Sequence, residues 1–268
     1  MSRNIVVIVT NSWQYRLAAG LLCLLWLGAA DTPADLDALA EQRSWHELHA
    51  HAQDIAPAAR DAHWRSLIEQ AALGELSSSE SGPYADSFAL IARYDADFPF
   101  LVESPGYLTL RMRVGLGALR FCFDAVDRHR TEAATCRESL GAFLHARPVT
   151  PPLAKSAAEI VGTRLNRAEA APLYALGVEA PGGEVLCTEP DLAVALVAGL
   201  DRPADSPEAA AARQLLERCY EPAAPAVLDA FNKAGPGSVF MRNACPALTA
   251  HQALTGLRAA ECAALAKD

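Results

Sequence analysis

The chain has 268 residues, carries a formal net charge of −9, and is 51% hydrophobic against 21% charged. Ala (55) and Leu (35) far outnumber Ile and Val together (20), which favours helices and excludes a β sandwich or barrel; the apolar content excludes a disordered chain. An acidic balance also argues against nucleic acid as a partner, because that demands a positive surface.

The N-terminus reads as an export signal. Arg3 and Arg16 are the only charges in the first thirty residues, an apolar run extends from Leu17 to Leu27, and Gly28, Ala29 and Ala30 are the small residues that a signal peptidase reads. Residues 1–30 are therefore expected to be a signal peptide cleaved after Ala30. Counted to Ala30, the run falls short of the roughly 20 residues of a bilayer-spanning helix, so no retained membrane span is expected. Leu22 before Cys23 does not suit lipid attachment. Cleavage would leave a net charge of −11 and six cysteines, an even count that reads as a disulfide framework. Lys is scarce beside 20 Arg; with the Ala excess this suggests a high-GC bacterial genome and a periplasmic or secreted product.

Helix starts recur along the remaining chain. Thr32-Pro33-Ala34-Asp35, Ser44-Trp45-His46-Glu47 and Ser206-Pro207-Glu208 each combine a capping residue with a first-turn Pro or acid. Apolar periodicity predicts further helical segments near 57–75, 85–94, 106–128, 132–146, 152–166, 168–177, 189–200, 207–219, 222–233 and 247–265. The Ser-rich stretch 77–83 is the expected linker between a small N-terminal helical unit, 31–76, and a main domain, 84–268. In the C-terminal third, Cys187-Thr188-Glu189-Pro190 with Leu196 is echoed at an offset of 32 by Cys219-Tyr220-Glu221-Pro222 with Leu228. That is the length of one helical hairpin. The predicted class is all-α: stacked helical hairpins, either solenoid-like or an irregular helical bundle, stapled by disulfides.

Hairpin geometry orders the cysteines. Cys122 and Cys136 are equidistant from His129, so a turn there brings them together. Cys187 begins a hairpin that Cys219 ends, while Cys219 also begins one that Cys245 ends; the preferred set pairs 122 with 136, 187 with 219 and 245 with 262. The last pair needs a bend near Gly256, because a straight helix between them would span about 25 Å.

Three clusters are candidates for chemistry. His46, His49 and His63 lie close in sequence, and i, i+3 histidines occur in helical metal sites, so this set is the candidate for a divalent metal. The zinc-protease pattern H-E-x-x-H fails, since position 50 is Ala50. The second cluster is a basic island from Arg111 to Arg147, in which Arg113 and Arg120 share a helical face and, with Arg128, are placed to meet a carboxylate or phosphate. The third is Tyr94-Asp95-Ala96-Asp97, where Tyr94 and Asp97 are candidates to line a cleft. Gly115-Leu116-Gly117 sits in a helical pattern and reads as close helix packing rather than phosphate binding. Nucleophile elbows, Walker loops and dinucleotide fingerprints do not occur. The expected role is thus an exported envelope binding or scaffolding protein with a protein or peptide partner and no required cofactor. The alternatives are a metal-dependent hydrolase using the His cluster and a periplasmic inhibitor or immunity protein.

Overall fold

The computed structural model describes residues 32–80 and 82–266, so the expected signal peptide lies outside the described residues. Among the described residues there are thirteen α-helices and no strand, and no helix is long and apolar enough to cross a membrane. Two compact units divide the chain, one up to Glu75 and one from Leu76.

The first unit holds α1 (Pro33–Glu41), α2 (Trp45–Ala52) and most of α3 (Ala62–Ser79). At Thr32 the capping expectation is met: the Asp35 carboxylate accepts from the Thr32 backbone N–H at 2.8 Å and from its hydroxyl at 2.7 Å. These bonds hold the Asp35 carboxyl below its ordinary pKa. Ser44 precedes α2 without a side-chain cap. Leu36, Leu48, Ala52 and Ile68 are fully buried and form the core of this unit. The Ser-rich stretch expected as a linker is helical through Ser79, because α3 continues past the division at Glu75.

The second unit runs through α4 (Tyr84–Asp97), α5 (Pro105–Asp127), α6 (Ala133–His145), α7 (Pro151–Arg164), α8 (Ala171–Glu179), α9 (Pro190–Leu200), α10 (Pro207–Arg218), α11 (Tyr220–Lys233), α12 (Val239–Ala250) and α13 (Gly256–Leu265). First-turn prolines and oxygen caps start many of them: Ser104, Ser206 and Ser238 accept from the backbone N–H three residues on. Packing is mostly between chain neighbours, α4 on α5, α7 on α8 and α9 on α10. However, α9 touches α8, α10, α11 and α12, which makes this part a bundle around α9 rather than a one-dimensional stack.

The three expected disulfides are the ones formed. Cys122–Cys136 joins α5 to α6 with Cα atoms 5.8 Å apart, and His129 between them takes φ 54°, a left-handed turn conformation that His tolerates better than most residues. Cys187–Cys219 ties the 3₁₀ turn Gly183–Thr188 to the junction of α10 and α11. Cys245–Cys262 joins α12 to α13. The single segment expected over 247–265 is instead two helices: α12 starts earlier, at Val239, and the chain breaks before Gly256, whose φ is 57°. The Cys–Glu–Pro echo marks the starts of α9 and α11, but its leucines are not equivalent. Leu196 is fully buried, whereas Val227 and not Leu228 occupies the buried position on α11. Gly115 allows the close packing expected of it, since a Cβ there would stand 2.5 Å from the Phe143 ring of α6.

Candidate functional site

The histidines divide between two partners. His46 Nδ1 lies 3.2 Å from Glu75 Oε1, and His49 Nδ1 lies 3.8 Å from Glu75 Oε2. His63 Nε2 instead sits 2.7 Å from Asp37 Oδ1. Among the described residues no group of three or more His, Cys, Asp and Glu side chains is arranged to hold a metal ion. Helical spacing put His46 and His49 on one carboxylate; it did not bring in His63.

The basic island places its candidates on the outside. Arg113 is exposed and donates to Glu80 at 2.8 Å, Arg120 is exposed on α5, and Arg128 is exposed just past its C-terminal end. Asp124 and Asp127, the acids nearest to them in sequence, are held by Arg164 of α7 at 2.9 and 3.4 Å. Tyr94 is fully buried against Phe98, and Asp97 is exposed. The structure therefore does not bring Arg113, Arg120, Arg128, Tyr94 and Asp97 together.

Their neighbours do converge. Asp95, from the same segment as Tyr94, is 3% exposed through its side chain and is shared by two buried arginines from the island. Arg111 donates through Nε to Asp95 Oδ2 at 2.8 Å and through Nη2 to the Phe143 carbonyl, with its guanidinium 4.3 Å from the Phe143 ring centroid. Arg147 donates to Asp95 Oδ1 at 2.8 Å and to the carbonyls of Pro99, Asp95 and Phe98. Tyr107 donates to Asp95 Oδ1 at 2.9 Å. Burial, and then the Asp95 charge, push the Tyr107 phenol well above its ordinary pKa. The second guanidinium is balanced by carbonyls at the C-terminal end of α4, where the helix dipole favours a cation. Asp95 and the arginine donors described here all have protein partners, so the cluster ties α4, α5, α6 and the segment after α6 into one core.

A different place in the unit leaves a polar group over. Glu159, Gly162 and Thr163 of α7, Arg167 of the 3₁₀ turn Arg167–Ala170, Tyr174 of α8 and Asp191 of α9 line a cleft of about 260 Å³. Tyr174 is 1% exposed, and its buried hydroxyl has no hydrogen-bond partner among the described residues. Burial is the first cause that raises the phenol above its ordinary pKa, followed by the charges of Asp191, Glu159 and Glu189. Two of those three acids, Glu159 and Asp191, line the cleft together with Tyr174.

Local sequence explains the cleft walls. Pro190 starts α9 and puts Asp191 in its first turn, where the helix dipole favours a carboxylate. Asn166 caps the turn that carries Arg167 by accepting from the Glu169 N–H at 3.2 Å, while its amide donates to Glu169 Oε1 at 2.7 Å. Arg137 of α6 grips the same carboxylate with two bonds at 2.7 and 2.8 Å. Ala158, Gly162 and Ala170 contribute little volume, and so leave the space open. Sequence reading missed this site: its five polar residues come from four elements, and Tyr174 sits in an apolar run that looks like core.

Asp191 is in no ion pair within 4 Å among the described residues. Glu159 is only 3.8 Å from Lys155, which Glu189 holds more closely at 2.7 Å. The arrangement offers recognition groups: two carboxylates, a guanidinium and a phenol. In comparison with protein families, curated proteins and solved structures, the chain shows no match.

Proposed function

We propose that this chain is an exported bacterial binding protein that engages a protein or peptide partner through the Tyr174 cleft. One observation carries the reading: among the described residues, a buried hydroxyl lacks a partner at a cleft whose carboxylates are weakly paired or unpaired. Buried polar groups are nearly always hydrogen-bonded, and an orphan is an unfavourable feature that a ligand can relieve. The cleft is the size of a side chain or a small molecule, which suits an anchor point on a larger contact. Three disulfides between helices fit an oxidising compartment, whether periplasmic or extracellular. The narrower role of an inhibitor or immunity protein fits the same geometry, since acids at the cleft favour a basic partner.

Filling the cleft tests the reading. A Cβ on Gly162 would meet Ala170 Cβ at 3.4 Å, the near edge of ordinary contact, so the first carbon of a side chain has room there. Gly162→Phe is expected to keep the wild-type circular dichroism spectrum and to lose the partners that the wild type retains from envelope extract, whereas Arg120→Ala keeps them. Full retention by a folded Gly162→Phe variant would contradict the proposal.

A further inference from the structure

Resting on the binding role of the Tyr174 cleft, we infer that the group it takes is a primary ammonium, which donates to the Tyr174 hydroxyl oxygen and to the carboxylates of Glu159 and Asp191. The lining holds two carboxylates against one guanidinium, Arg167. Asp191 has no cation within ion-pair distance among the described residues, and the cation nearest Glu159 is drawn to Glu189. An anion would meet both carboxylates, and a neutral alcohol would leave them unmatched. An ammonium brings three donors and no acceptor, the complement of two carboxylates and a phenol oxygen. Charge-assisted hydrogen bonds of this kind are the stronger ones.

Size and reach agree with this class. A cleft of about 260 Å³ admits an ammonium on a stem of a few carbons, and Ala158, Ala170, Val194 and Ala195 give that stem apolar contact. The Thr163 hydroxyl donates to the Glu159 carbonyl at 2.7 Å, which leaves its oxygen as a further acceptor at the cleft. Besides Arg167, Lys155 is a nearby cation of the protein itself; it holds Glu189 at 2.7 Å, and neither of those two residues lines the cleft. A divalent metal is the other ligand that acids attract, but no three of His, Cys, Asp and Glu gather to hold one among the described residues. The ammonium has two possible sources, a lysine of a partner protein or a free small amine, and the same chemistry serves both.

Calorimetric titration of the full chain with propylammonium chloride, with N-acetyl-lysine methylamide and with 1-propanol separates these outcomes. Both ammonium probes are expected to bind at one saturable site and propanol is not. Tyr174→Phe and Asp191→Asn are each expected to weaken the ammonium probes about tenfold, the usual scale for loss of one hydrogen bond to a charged group. Arg167→Gln is expected to tighten them by removing a like charge. Stronger binding of the lysine probe assigns the source to a partner's side chain, stronger binding of propylammonium assigns it to a free amine, and either outcome keeps the ammonium. Absence of saturable binding by both ammonium probes, equal binding of propanol, or unchanged affinity in Tyr174→Phe would overturn the inference. The partner-binding role fails separately, if Gly162→Phe retains its partners even though the wild type binds an ammonium.

Discussion

Tyr107 and Tyr174 are buried to the same degree, at 0% and 1% exposure, on helices of one unit, yet their hydroxyls have opposite surroundings. Tyr107 donates to Asp95 at 2.9 Å within a cluster where two guanidiniums share the same carboxylate. The Tyr174 hydroxyl has no partner among the described residues, and the ring lines a cleft with Glu159 and Asp191. The phenol ionises less readily in both places, and burial is the first cause in each. The difference lies in what the rest of the chain supplies. Around Tyr107 the polar groups close on one another and serve the fold; around Tyr174 they are left for something else.

Breaking the closed cluster should have the largest effect. Asp95→Asn keeps the shape but removes the charge that Arg111 and Arg147 share, and leaving buried guanidiniums unpaired costs about 3 to 5 kcal/mol. Urea unfolding is expected to show that loss; a change within about 0.5 kcal/mol, the range of an ordinary surface substitution, would mean that the cluster is not a structural tie. Next in size is Tyr107→Phe. It removes one hydrogen bond to a charged group while both arginines stay on Asp95, so a destabilisation of about 1.5 to 3 kcal/mol is expected in the same assay.

The fold was more legible than the site, for reasons that particular residues show. Cys122 and Cys136 could be paired because each is equally far from His129, and a turn residue acts locally. The need for a bend near Gly256 followed from the length of a helix set against the reach of a disulfide. By contrast, the polar clusters are made by tertiary contact. Local composition picked the stretches that hold Asp95, Arg111 and Arg147 but pointed to Tyr94, Asp97 and Arg113 within them. Which residue of a segment turns inward depends on the helices that pack against it. Tyr174 was illegible because an orphan hydroxyl is a property of its surroundings, and nothing in its own run of apolar neighbours marks it.

The smallest expected effect is also the most direct test. Tyr174→Phe deletes a buried hydroxyl that has no partner among the described residues, so in the absence of ligand it is expected to leave stability unchanged or raise it by up to about 1 kcal/mol. Urea unfolding of this variant beside Tyr107→Phe compares the same chemical change at equal burial. Opposite signs, or a loss at Tyr107 with none at Tyr174, are what the account requires. A loss at Tyr174 equal to that at Tyr107 would show that its hydroxyl is already satisfied in the folded protein, and would contradict the cleft as a site waiting for a partner.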